Sequence, residues 1–412
     1  MRIEVLNTGT ELLLGNTLNT HGGWFGRQLF TMGLRVARQA TVPDGDAIRE
    51  AFEEMVVRAD AIIVTGGLGP TSDDLTREIV AETLGLELHQ DEQALRTLSD
   101  FFAIRNMPMV EVNLRQAQVP VGADVLPNPN GTAPGLYLPP RINSRSSCAV
   151  FLLPGPPREL YPMFHEEVAP RLRALSGVED IPGVCELKFT GIGESDFHHG
   201  IDDELAAMPG FEYGYCARMG EVDLRLIGND EQIAAARSLV LKKFSEYLIS
   251  ADGSSHEATV IRLLREKELK LATAESCTGG LIAHRLTNVP GASEAFTHGW
   301  VTYANEAKIG QIHVPAETIA THGAVSEETA RAMAEGALKE SNADLAISVT
   351  GIAGPTGGTE DKPAGTAWLA LASKDGETIA RKIYHPRNRE DFKDSASQSA
   401  LDMIRRRLVS GG

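Results

Sequence analysis

A chain of 412 residues exceeds what one ordinary hydrophobic core covers, and at roughly 100 to 200 residues per domain it predicts two or three domains. With 42% hydrophobic residues, 23% charged residues and no low-complexity tract, the composition is globular and excludes extended disorder. A formal charge of -17 argues against a general DNA or RNA surface, which needs clustered Lys and Arg, but it leaves room for a small anion held by backbone N–H groups.

The first residues, Met-Arg-Ile-Glu-Val-Leu-Asn-Thr-Gly, place an acid and polar groups where a signal peptide needs an apolar core. No apolar run approaches a membrane span, so the expected compartment is the cytoplasm. From there the pattern predicts a strand at 3–6, a helix at 19–32, a strand at 34–41, a helix at 46–58, a strand at 61–65, a glycine-rich loop and a helix at 75–84. Alternation of this kind predicts a parallel sheet with helices on both faces. A strand at 148–153 ends at Pro154-Gly155-Pro156-Pro157, and a helix reaching residue 172 completes the first domain, 1–172.

The loop after the strand at 61–65 reads Thr65-Gly66-Gly67-Leu68-Gly69-Pro70-Thr71-Ser72-Asp73-Asp74. A glycine-rich turn between a buried strand and a helix lets backbone amides approach a phosphate. Asp73 and Asp74 beside it suit a divalent ion bridging phosphate oxygens, or else one of them caps the following helix. A Nudix box is not present: Ala81 stands where an acid is needed and Gly69 where the upstream glutamate belongs.

Residues 173–250 predict a small α+β, KH-like domain: a strand near 186–190, a helix after Gly193-Glu194-Ser195, two strands separated at Met219-Gly220, and a helix at 231–248. Its Gly191-Ile192-Gly193-Glu194 turn lacks the basic surroundings that RNA clamping requires, which favours a structural or dimer-forming role. Gly and Ser cluster at 251–255 as a linker, and a third domain at 254–412 returns to the α/β pattern. Its predicted strands are 270–273, 296–303, 345–349, 365–372 and 378–384, and its helices 257–268, 281–287, 327–339 and 389–407. The fold class is therefore α/β, with two three-layer domains joined by a small α+β middle domain.

In the third domain Ala-Glu-Ser-Cys-Thr-Gly-Gly sets Ser276 and Cys277 on a turn between a strand and a helix, with Thr278, Gly279 and Gly280 offering backbone donors for an anion. A serine hydroxyl needs activation, and no Ser/His/Asp order or G-x-S-x-G elbow is present. Tyr303 and Lys308 sit on the next predicted strand and turn, and a desolvated lysine serves as a neutral base. Cys277 is the competing nucleophile, but the sequence specifies no cation or histidine to lower its pKa. The loop Thr350-Gly351-Ile352-Ala353-Gly354-Pro355 lacks the lysine of a P-loop and fits a phosphate or ribose cradle. The four cysteines, Cys148, Cys185, Cys216 and Cys277, show neither disulfide nor zinc spacing.

Five motifs in order, Ala-Glu-Ser-Cys-Thr-Gly-Gly, Val-Thr-Tyr-Ala-Asn-Glu-Ala-Lys, His-Gly-Ala-Val-Ser-Glu, Thr-Gly-Ile-Ala-Gly-Pro and Lys-Pro-Ala-Gly-Thr, resemble the C-terminal domain of the CinA family. The resemblance implies a nicotinamide mononucleotide deamidase of pyridine nucleotide salvage. Ser276 would be the nucleophile, Lys308 and Tyr303 its activating partners, and Thr350 and Arg389 substrate-positioning groups, with Arg387 and Lys393 as competing phosphate ligands. That chemistry calls for no metal.

The first domain likewise resembles the molybdopterin-binding-like domain of the same family, through the Gly66–Gly69 loop, Asn7-Thr8-Gly9-Thr10-Glu11, Asn128-Pro129-Asn130-Gly131-Thr132 and Leu153-Pro154-Gly155-Pro156-Pro157-Arg158-Glu159. It implies an ADP-ribose pyrophosphatase that uses Mg2+, Mn2+ or Co2+, with or without K+. Asp73 and Asp74 would be metal ligands, with Gly66, Gly67, Gly69, Asn130, Thr132 and Arg158 near the substrate. The alternative is a first domain that binds a pterin or nucleotide without turnover. The family further implies a homodimer acting on small nucleotides, while the lack of a long apolar run and of a basic patch leaves neither membrane nor nucleic acid as an expected partner.

Overall fold

The computed structural model describes residues 1–141, 147–178 and 180–410. They form two compact units, Met1–Ile181 and Pro182–Gly412. Both are α/β assemblies, and among the described residues no helix is long and apolar enough to cross a membrane.

The first unit is built on six strands in the order Val36–Val42, Ile3–Thr8, Ala61–Thr65, Ala149–Leu153, Gly135–Leu138, Asp124–Leu126. Its central strands are buried throughout, as strands covered on both faces must be. Alternation divides their side chains. Ile3, Val5, Ile63 and Phe151 pack against Trp24, Phe25 and Leu160, whereas Leu6, Ile62, Val64 and Leu152 pack against Ile48, Phe52 and Val80. Three layers result. The sheet departs from the all-parallel expectation at one edge, where Gly135–Leu138 runs antiparallel to both its neighbours. The connection from Leu126 to Gly135 is too short for the crossover that parallel pairing needs.

The second unit opens with a β-α-β-β-α-β module whose antiparallel sheet has the order Glu212–Arg218, Glu221–Gly228, Gly183–Thr190, Leu248–Ser250. The helix predicted at 231–248 ends at Phe244, and Leu248–Ser250 instead pairs with Phe189 and Lys188 as an edge strand.

A five-stranded sheet follows, in the order Phe296–Val301, Leu271–Glu275, Leu345–Gly351, Thr366–Ser373, Gly376–Tyr384, with the first three parallel. One face carries Leu271, Ile347, Val349 and Leu369 against Val260, Ile282 and Phe392. The other carries alanines, Ala272, Ala274, Ala346 and Ala370, so the helix Glu327–Ser341 approaches closely. A Cβ on its Gly336 would sit 1.8 Å from the Ile312 carbonyl oxygen.

The 22-residue helix Arg389–Ser410 is buried along much of its length because it also meets the β-α-β-β-α-β module. Gln398 donates to Glu221, and the buried Arg405 donates to the carbonyls of Leu248 and Glu246. His256 lies fully buried beside Asp402, Arg405, Arg285 and Gln398. Burial, against the pull of Asp402, brings its pKa from 6.5 down to about 4.

The unfolded chain therefore takes up this proton more readily than the folded one, so the stability the neutral ring confers is complete above pH 6.5 and is lost as pH falls towards 4. His256→Leu is expected to remove about 3 kcal/mol of that acid dependence, read from urea unfolding at pH 7 and pH 4. Equal pH dependence in variant and parent would contradict it.

Candidate functional site

The three parallel strands of the second unit end at one edge, with Glu275 opposite Val301 on one side and Val349 on the other. Their following loops therefore converge, as expected at the carboxyl ends of parallel strands. The Ser276 N–H donates to the Val349 carbonyl at 2.9 Å and fastens the first loop to the third.

Ser276 is 8% exposed and Lys308 is 1% exposed. The Lys308 Nζ lies 3.2 Å from Ser276 Oγ and donates to the carbonyl oxygens of Thr302 at 2.9 Å and Tyr303 at 3.2 Å. Burial pushes the Lys308 amine below its ordinary 10.5, with Cys277 and Glu306 opposing the shift. Burial pushes the neighbouring Cys277 thiol up to about 12, so the sulfur is protonated at neutral pH and is a packing group.

Tyr303 meets this pair through its carbonyl. Its side chain is 59% exposed, and its hydroxyl accepts a 2.7 Å hydrogen bond from Arg389 Nη2. Arg389 also donates to the Gly354 carbonyl at 3.2 Å, tying the second and third loops together. Lys393, one helical turn further on, places its Nζ 3.9 Å from where a Cβ on Gly279 would lie. Thr350 is buried and its hydroxyl donates to the Ala324 carbonyl at 2.7 Å. Gly351 has a packing reason, because a Cβ there would come within 2.6 Å of the Ala367 side chain.

The residue that sequence reasoning missed is Glu275. Its fully buried carboxylate accepts from the N–H groups of Gly280 at 3.1 Å, Ile282 at 3.0 Å and Ala283 at 2.8 Å. The Gly279 N–H is also spent, on the Ser276 carbonyl. The anion cradle expected at Gly279 and Gly280 is thus filled from within by the chain's own carboxylate. The available signal was an acid at a strand end five residues before a glycine that opens a helix. Thr278 is buried, and its hydroxyl has no hydrogen-bond partner among the described residues.

In the first unit a cavity of about 370 Å3 opens over the glycine loop. Gly66 and Gly67 have φ of +95° and +65°, and a Cβ on either would strike Thr8 or Thr76. Gly66, Gly67, Gly69, Asp73, Asp74 and Thr132 all line this cavity, whereas Asn130 and Arg158 do not. The Arg158 side chain is 80% exposed, because Pro157 starts a helix whose buried positions fall at Glu159 and Leu160.

The Thr71 hydroxyl lies 2.5 Å from both Asp73 Oδ1 and Asp74 Oδ2, and this contact holds the Asp73 carboxyl below its usual range. The helix Thr76–Leu84 has no side-chain cap, so neither aspartate serves in that role. Glu11, Asp44 and Glu159 complete a lining of five carboxylates, and among the described residues no lysine or arginine joins them. Such a pocket repels a phosphate unless cations intervene, and its oxygen donors suit hard divalent ions. Among the described residues no group of three or more His, Cys, Asp or Glu is placed to hold a metal alone. Two carboxylates together with substrate phosphate oxygens are the usual arrangement for Mg2+.

Residues 253–408 match the family described as "CinA C-terminal domain", and residues 4–174 match "Probable molybdopterin binding domain". The chain is 49% identical over 401 residues to a CinA-like protein of Akkermansia muciniphila, covering 97% of this chain and 96% of that protein. It is 39% identical over 417 residues to a CinA-like protein of Kosmotoga olearia, covering 99% of each. Among solved structures, a competence/damage inducible protein from Agrobacterium tumefaciens is 40% identical, covering 37% of this chain and 94% of that one, with a TM-score of 0.35.

Proposed function

Because the chain belongs to the CinA family and carries its C-terminal domain behind a molybdopterin-binding-like domain, we propose that it is a bifunctional hydrolase of pyridine nucleotides. The second unit deamidates nicotinamide mononucleotide to nicotinate mononucleotide and ammonia. The first hydrolyses ADP-ribose to AMP and ribose 5-phosphate with a divalent metal.

The observation that carries the first activity is the buried Ser276–Lys308 pair at 3.2 Å. A neutral amine has two N–H bonds and one lone pair. With both hydrogens directed at the carbonyls of Thr302 and Tyr303, the lone pair faces the Ser276 hydroxyl. Ser276 Oγ attacks the carboxamide carbon as its proton passes to Lys308 Nζ. The Cys277 N–H, next along the chain, is the backbone donor for the resulting oxyanion. Lys308 returns the proton to the departing nitrogen, ammonia leaves, and an acyl ester remains on Ser276. Water, deprotonated by the same amine, attacks the ester carbon, and the amine returns that proton to the departing Ser276 oxygen, which frees the serine and gives the acid product, ionised at neutral pH. Arg389 and Lys393 supply positive charge for the 5′-phosphate.

In the first unit Asp73 and Asp74 would hold the metal, which would neutralise the diphosphate and polarise it towards water. A second reading, nucleotide binding without turnover, is favoured by the engagement of both aspartates with Thr71.

Incubating the full chain with nicotinamide mononucleotide, and separately with ADP-ribose plus Mn2+, tests both activities by product separation. Ser276→Ala is expected to abolish only the first. The pH profile supplies a further check. Lys308 acts as the neutral amine, so kcat/KM for deamidation is expected to fall as pH drops through a pKa depressed below 10.5. A rate independent of pH from 5 to 10 would remove the lysine from the mechanism.

A further inference from the structure

The helix Leu281–Thr287 opens directly after the turn that presents Ser276, and it has only seven residues. So short a helix does not hold itself and depends on what it meets. The Glu275 carboxylate fixes its first turn. Its last turn is fixed by Arg285, whose guanidinium donates at 2.9 Å to each of Ser397 Oγ, Glu257 Oε2 and Gln398 Oε1.

Gln398 is the link outward. It is 5% exposed, and the other side of its amide donates to Glu221 Oε1 at 2.6 Å. Glu221 opens the strand Glu221–Gly228 of the β-α-β-β-α-β module. An amide meets both demands at once, donating to a carboxylate and accepting from a guanidinium. The contact is close: a Cβ on the module's Gly220, which has φ of +72°, would come 3.1 Å from Gln398 Cγ. A continuous series of bonds therefore runs from the module through Gln398 and Arg285 to the helix behind the nucleophile, and through Glu275 to Ser276.

We propose that Gln398 is a positioning residue for Ser276 and that it makes the β-α-β-β-α-β module a working part of the deamidation site. The proposal rests on the deamidase reading of the Ser276–Lys308 pair. Glu221 holds the Gln398 amide with its oxygen towards Arg285. Released from Glu221, the amide turns freely and Arg285 loses that acceptor. Ser397 and Glu257 still bind the guanidinium, so the helix persists while its last turn loosens, and the slack reaches the turn that carries Ser276. The loss falls on attack by Oγ, hence on kcat, because Arg389 keeps its own bonds to Tyr303 and Gly354.

Gln398→Glu sets two carboxylates against each other at this contact. In the full chain it is expected to lower kcat for deamidation about threefold to tenfold, with KM within about twofold. Hydrogen exchange at the amides of Gly280, Ile282 and Ala283, measured without substrate, should quicken. Adding Glu221→Gln exchanges donor and acceptor across the same contact and should restore both rate and protection. Parental kcat in Gln398→Glu, or a loss that Glu221→Gln does not restore, would overturn the proposal. Should Gln398→Glu not fold, Glu221→Ala takes its place, and parental kcat in that variant overturns the proposal equally. A parent without turnover whose exchange still responds to Gln398→Glu and recovers with Glu221→Gln upholds the positioning link and rejects deamidation. Turnover by the parent, with kcat and exchange unchanged in the variants, rejects the link and leaves deamidation standing.

Discussion

Replacing Lys308 with methionine is expected to lower kcat for deamidation by about 10³-fold, the middle of the range for removing a positioned proton acceptor, with little change in KM. The effect follows from position. Nζ is the atom that meets Ser276 Oγ, and among the described residues no carboxylate forms an ion pair with it, Glu306 opposing the depressed pKa only from a distance. Methionine keeps the buried stem and deletes the amine, leaving the carbonyls of Thr302 and Tyr303 without their donor, at a cost of about 1 to 3 kcal/mol. The variant should therefore remain folded, somewhat less stable, and inactive. Ser276→Ala should match it in rate. Because the two groups act as one unit, the double variant should be no slower than either single one. Turnover within tenfold of the parent by a folded Lys308→Met protein would dismiss the serine–lysine mechanism, whatever the other residues do.

The legibility of this site in the sequence is uneven, for physical reasons. Asp46–Arg58, Ala61–Thr65 and Leu281–Thr287 occur where hydrophobic pattern and bounding glycines or charges predict them, because burial alone fixes their limits. Leu248–Ser250 was hidden, since three residues hold no period and pair only through a distant strand. The helices Asn305–Ile312 and Ala316–His322 bury only Lys308 and Ile312 between them, so no apolar stripe announces them.

The meeting of Ser276 with Lys308 was inferable because both follow neighbouring strands at one sheet edge. The fate of Tyr303 was not. Whether the carbonyl or the phenol faces inward depends on local chain direction, and here the carbonyl faces Lys308. The carboxylates of the first cavity show the same limit. Asp73 and Asp74 adjoin the glycine loop in sequence, whereas Glu11 and Glu159 arrive on two short helices and Asp44 on a bend, and only the fold gathers them.

Glu275→Ala is expected to destabilise the second unit by about 3 to 5 kcal/mol and to abolish deamidation along with it. The carboxylate is fully buried and satisfies three N–H groups at the start of the helix Leu281–Thr287. Those donors have no partner within the helix, and an anion at a helix N-terminus is favoured by the dipole as well. Alanine removes the acceptor, leaves one buried and two part-buried donors without it, and frees the turn that presents Ser276. Glutamine should be milder in stability, because its carbonyl oxygen still accepts while its NH2 opposes a donor. It should nevertheless lose rate, since the turn can no longer be held at both oxygens. The chain has three tryptophans, and in a Trp24→Phe background the remaining two, Trp300 and Trp368, both report on the second unit. Urea unfolding followed by their fluorescence isolates the relevant transition. A Glu275→Ala protein within about 1 kcal/mol of its parent would show that water replaces the carboxylate at those amides, and that the turn stands without it.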